Sequence, residues 1–174
     1  MMPSTELQLA FDRAYAGTSL NTLGTALTGF SVTSSQLGGM FLEPIAVPRD
    51  YDRSRDGRLY ITLANVGIVG PATGDVVLQS TRTLAPPPGP SVNVTVEQVF
   101  TPPANWDAQN WQQVELLNAG GPWLPAGTIA DQSILGIRVA RDGGDVLDTW
   151  NASLFFADFV RLTYNRLCRF CDGC

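Results

Sequence analysis

A chain of 174 residues, 44% hydrophobic and 16% charged, suffices for one domain that buries roughly two-thirds of its unfolded surface, and is too apolar for disorder throughout. Sixteen Asp and Glu against 11 Lys and Arg give a formal net charge of −5, a field that repels phosphate backbones and sets nucleic acid aside as a partner. The absence of histidine removes Ser-His-Asp and Cys-His catalysis and the commonest metal ligand, and no cofactor is expected.

From the N-terminus, Met1 to Asp12 lacks the basic region and apolar run of a secretory signal, so synthesis in the cytoplasm is expected. Thr5 to Phe11 alternates through Leu7, Leu9 and Phe11, then gives way to Ala-, Gly-, Thr- and Ser-rich text. Residues 1–35 therefore read in two ways: an extended arm lying on a neighbouring surface, or a first strand with a long loop.

Strand patterns then recur at Phe30 to Thr33, Met40 to Val47, Arg58 to Val66, Asp75 to Thr83, Val92 to Phe100, Gln112 to Leu117, Ser133 to Ala140 and Ser153 to Tyr164. Gly- and Pro-rich separators stand between them, including Pro86-Pro87-Pro88-Gly89-Pro90. Short strands at near-even spacing predict an all-β chain with a single β-sandwich or jelly-roll domain over 36–166, followed by a Cys-containing tail at 167–174. The most apolar window, Leu154 to Leu162, is broken by Asp158 and Arg161 and falls short of the roughly 20 residues a spanning helix needs, so no membrane partner is expected.

Asp158 shares parity with Leu154, Phe156, Val160 and Leu162. It is either buried and matched by hydrogen bonds or by an arginine such as Arg138 or Arg141, or moved off the core face by a β-bulge near Ala157. Asp142, Asp145, Asp148, Asp158, Glu97 and Glu115 are the candidate acids for a carboxylate-only glycosidase, which needs two of them facing one sugar. The acids of Asp50 to Gly57 miss the EF-hand spacing and stand among Arg49, Arg53 and Arg55, so a salt-bridged loop is expected and no metal site. Trp106, Trp111, Trp123 and Trp150 all fall in or beside loops, where indoles serve as sugar-stacking or interface platforms or close the ends of a core. Trp106, Trp111 and Trp123 are the candidate contact residues. The tail Cys168, Cys171 and Cys174 lacks a fourth ligand for zinc, leaving free thiols, a disulfide such as Cys168 with Cys174, or a site shared between subunits.

The run Ile134 to Asp142, then Asp148-Thr149-Trp150, then Leu154 to Tyr164, resembles the closing strands of jelly-roll or β-sandwich virion structural proteins of tailed bacteriophages. The resemblance implies a non-enzymatic capsid cement or decoration protein, a homotrimer on the capsid exterior that bridges copies of the major capsid protein. Leu7, Leu9 and Phe11 would then lie on a capsid-contacting arm. The alternative is a fibre or tail receptor-binding module that binds glycans, and the remoter one is the glycosidase.

Overall fold

The computed structural model describes residues 4–15, 18–23, 27–66, 73–103, 106, 110–130 and 132–167. The elements are β1 (Ser4–Ala14), β2 (Thr18–Leu23), β3 (Leu27–Val32), β4 (Leu37–Leu42), β5 (Ile45–Ala46), β6 (Arg58–Val66), β7 (Val76–Ala85), β8 (Val92–Phe100), β9 (Trp111–Asn118), β10 (Gly121–Pro122), β11 (Ile134–Asp142) and β12 (Ser153–Asn165). Among the described residues there is no helix, and every strand pairing is antiparallel. The chain is an all-β sandwich of the jelly-roll kind.

In the first sheet, β10, β9, β6 and β12 lie side by side. The later half of β12 pairs with β1, from Ser4↔Asn165 to Ala10↔Phe159, and its start pairs with β3, which carries β2. The second sheet runs from the end of β1 through β4, β11 and β7 to β8, with β5 beside the start of β11. Strand β1 belongs to both sheets: it pairs with β12 up to Ala10 and with β4 from Phe11, with a register shift between Phe11 and Arg13. On the opposite side, Gln98 of β8 reaches β9. Its Nε2 donates to the Glu115 carbonyl at 3.1 Å and its Oε1 accepts from the Leu117 amide at 2.8 Å. One side chain thus stands in for a ladder rung where the two sheets meet.

Alternation along the strands fills the space between the sheets. Leu59, Ile61 and Leu63 of β6, Leu154, Phe156, Val160 and Leu162 of β12, and Leu135, Ile137 and Val139 of β11 are all buried in one cluster. Each such side chain contributes about 1.5–3 kcal/mol through removal from water. The long side of the sandwich is clamped by a buried ion pair in which Arg141 of β11 and Asp148 both have 0% side-chain exposure. Arg141 donates to both Asp148 oxygens at 2.9 and 2.6 Å and to the carbonyls of Ala152 and Trp150 at 2.6 and 2.5 Å. Asp148 also accepts the Val77 amide at 3.0 Å, so the loop between β11 and β12 is tied to β7.

Within residues 1–35, Ser4–Ala14 forms a core-packed strand and not a free arm, and Thr18–Leu23 and Leu27–Val32 form two further strands. Leu9 is buried among the core residues, with Leu7 and Phe11 packed against it and the Phe11 and Phe30 rings 4.1 Å apart. Asp158 follows the bulge reading. The β12–β6 register shifts between Phe156 and Val160, which releases Asp158 from the core so that it accepts a 2.6 Å hydrogen bond from the Thr28 hydroxyl. Cys168, Cys171 and Cys174 lie outside the described residues.

Candidate functional site

The strand registers of the second sheet align side chains into rows across its outer face. The central row runs Thr95 (β8), Thr81 (β7), Arg138 (β11), Phe41 (β4) and Arg13 (β1), each opposite the next in register. On one side lies the row Asn93, Thr83, Gly136, and on the other Glu97, Gln79, Ala140, Gly39. In a pleated sheet these residues share one face by period two, while Leu78, Ser80, Arg82 and Leu84 of β7 turn inward.

A shallow cleft of about 440 Å³ follows these rows, with Thr81, Thr83, Asn93, Thr95, Gly136 and Arg138 along one wall and floor. Phe41, Pro44, Asp12 and Arg13 form the other wall. Gly136 leaves the floor open: a Cβ placed there would meet only Thr83, at 3.6 Å or more.

The polar side chains in these rows are held by one another. The Thr81 and Thr95 hydroxyls lie 2.9 Å apart, Thr83 donates to Asn93 Oδ1 at 2.7 Å, and Gln79 Nε2 donates to Glu97 at 3.0 Å. Arg138 donates through one terminal nitrogen to Thr81 at 2.9 Å and, by a short contact, to Gln79. The guanidinium carbon of Arg138 lies 4.7 Å from the centre of the Tyr15 ring, and that of Arg13 4.7 Å from the Phe41 ring. The two rings meet edge to face at 5.6 Å. Each of the two cations thus lies over an aromatic ring at cation–π distance.

The contact residues expected from sequence lie elsewhere. Trp106 and Trp123 are 2% and 0% exposed, and Trp150 is buried as well, so these indoles are part of the core. Trp106 donates to the Asn110 carbonyl at 2.6 Å, and Trp123 to the Ser80 hydroxyl at 2.9 Å. Trp123 also covers Arg82, whose burial lowers its pKa and whose guanidinium donates to the Trp123 carbonyl. Trp111 is half-buried on the first sheet, edge-on to the buried Phe155 ring at 5.6 Å.

The candidate acids are dispersed. Asp148 is locked to Arg141, Asp158 to Thr28, Glu115 to Arg58 at 3.4 Å and Glu97 to Gln79, while Asp142 and Asp145 accept backbone amides two residues on. In the 50–57 loop, Asp50 accepts from Arg166 and Asp56 from the Ala126 amide. Asp52 accepts from Ser54, whose hydroxyl holds that carboxyl below its ordinary pKa. Tyr51 stacks on Tyr164 at 5.5 Å, and burial, with Asp56 and Asp52 nearby, pushes its phenol up to about 12.

No protein-family model and no curated protein matches the chain. Among solved structures, a family 30 carbohydrate-binding module is similar over 98% of this chain and 93% of its own, at 13% identity and a TM-score of 0.47. The isomalto-dextranase of Arthrobacter globiformis, solved with panose, is similar over 91% of this chain, at 18% identity and a TM-score of 0.48. The chain spans 23% of that enzyme's length. The CBM22-1 xylan-binding domain of Paenibacillus barcinonensis Xyn10C is similar over 91% of this chain and 94% of its own, at 12% identity and a TM-score of 0.44. These superpositions fall below a TM-score of 0.5, so the functional reading rests on the cleft itself.

Proposed function

We propose that the chain is a non-catalytic glycan-binding β-sandwich module whose site is the cleft on the outer face of the second sheet. The observation that carries this is the ordered set of rows Asn93–Thr83–Gly136 and Thr95–Thr81–Arg138–Phe41 on one open face. A sugar ring presents hydroxyls in fixed directions around a body with apolar C–H faces. The threonine hydroxyls, the Asn93 amide and the arginine donors answer the hydroxyls, and the half-buried Phe41 ring answers the C–H faces. Because these groups are already held by hydrogen bonds on rigid strands, little side-chain entropy is lost when a ligand arrives. The cleft lining holds one carboxylate, Asp12, where glycoside hydrolysis uses two, and this favours binding over cleavage.

The same geometry favours the receptor-binding alternative over capsid clamping. Clamping called on Leu7, Leu9 and Phe11 as an arm, and those residues pack in or against the core.

Filling the cleft floor tests the proposal. Gly136→Leu adds a side chain where the backbone leaves room, so the variant should keep its thermal transition. On a glycan microarray it should lose the binding that the parent protein shows. Unchanged glycan binding by a folded Gly136→Leu variant would falsify the placement of the site.

A further inference from the structure

We infer that the cleft selects saccharides that carry a carboxylate, with Arg138 as the residue that receives it; this inference rests on the glycan-binding reading above. Four charged groups belong to the rows or the cleft wall: Asp12, Arg13, Glu97 and Arg138. Three of them have their charge or their polar atoms answered nearby. Arg13 lies 3.5 Å from Asp12, and Glu97 accepts the Gln79 amide.

Arg138 differs. Among the described residues no carboxylate comes within ion-pair distance of it, and both of its hydrogen bonds, to the neutral Gln79 and Thr81, leave from the same terminal nitrogen. Its Nε is buried without a partner, and its other terminal nitrogen makes no hydrogen bond among the described residues. A guanidinium presents five donors in a planar fork matched to two carboxylate oxygens, and this one keeps the donors of its second terminal nitrogen unused while its carbon lies 4.7 Å from the centre of the Tyr15 ring and Gln79 accepts from the first. The neutral hydroxyls beside it, Thr81 and Thr95 bonded to each other and Thr83 bonded to Asn93, suit the ring hydroxyls of the same ligand.

The net charge of −5 works against anions at long range. Screening over roughly 8 Å at physiological salt confines that penalty to the approach, and the contact itself is decided by the charges at the cleft. Uronic acids and sialic acids both supply a sugar carboxylate, and the assay separates them.

Isothermal titration calorimetry would compare two pairs of probes against the full chain: a galacturonate oligosaccharide beside its methyl ester, and sialyllactose beside neutral lactose. The expected result is that at least one acidic probe binds about tenfold to a hundredfold tighter than its neutral counterpart, the range spanned by a hydrogen bond to a charged group. In Arg138→Gln that advantage should vanish, the acidic probe weakening far more than its neutral counterpart, and Arg138→Lys, keeping the charge without the fork, should restore part of it. The more favoured acidic probe identifies the source. Equal binding of acidic and neutral probes, or equal weakening of both in Arg138→Gln, overturns the inference and leaves the glycan-binding reading standing. Binding of neither kind to the folded parent overturns both.

Discussion

Replacing Asp148 by alanine should cost about 3–5 kcal/mol of stability, because it leaves the Arg141 guanidinium buried without its counter-charge. Both side chains have 0% exposure, so water cannot substitute for the lost carboxylate without opening the fold. The Val77 amide loses its acceptor in the same change, which by itself costs about 1–3 kcal/mol. Domains of this kind have total stabilities of about 5–15 kcal/mol, so the variant should unfold at a much lower urea concentration. Asp148→Asn should fall between parent and alanine, since it keeps an acceptor for Val77 while removing the charge. The double variant Arg141→Met with Asp148→Leu should lose less than the two single changes added together, because no unpaired charge remains. Its residual loss would come from the Ala152 and Trp150 carbonyls deprived of donors and the Val77 amide deprived of its acceptor. Urea melts of the parent, of each single variant and of the double variant, followed by circular dichroism, supply these values. A loss below about 1 kcal/mol in Asp148→Ala would refute the clamp, because an uncompensated buried charge cannot be so cheap.

Deleting residues 1–14 should abolish cooperative unfolding, since β1 supplies Leu9 to the core and joins the two sheets; a sharp transition in the truncated protein would restore the arm reading. Acrylamide should quench the tryptophan fluorescence weakly, because Trp106, Trp123 and Trp150 are buried, and the accessible fraction should disappear in Trp111→Phe; strong quenching in that variant contradicts the placement. The raised phenol of Tyr51 makes the folded state hold a proton that the unfolded state releases, so its stabilising contribution is complete below pH 10 and is lost as pH rises toward about 12. The chain contains no lysine, so that window is free of lysine titration, and Tyr51→Phe should flatten the fall in melting temperature between pH 10 and 12; an unchanged slope would count against the buried phenol.

Period-two alternation was enough to locate the long strands, because one face of each meets the core: Arg58 to Val66 and Val92 to Phe100 coincide with β6 and β8. Strand β2, Thr18–Leu23, escaped because its text is short, Thr- and Ser-rich and without a clear apolar face. The indoles misled for a physical reason. Loop position in sequence says nothing of whether the indole turns into the core, which is where Trp106 and Trp123 are found. The cleft left only a faint trace, the polar alternations Gln79-x-Thr81-x-Thr83 and Asn93-x-Thr95-x-Glu97, which are also what any solvent-facing strand displays. Their alignment with Arg138 and Phe41 depends on registers between strands up to about a hundred residues apart in sequence, and no local pattern encodes that.

The central claim is that the outer face of the second sheet receives a saccharide, and backbone amide chemical-shift mapping tests it most directly. With a bound oligosaccharide, the account predicts that the shifts concentrate at Thr81, Thr83, Asn93, Thr95, Gly136 and Arg138, with the amides around Trp111 unmoved. Shifts centred on Trp111 and the first sheet, with the cleft residues silent, would contradict it.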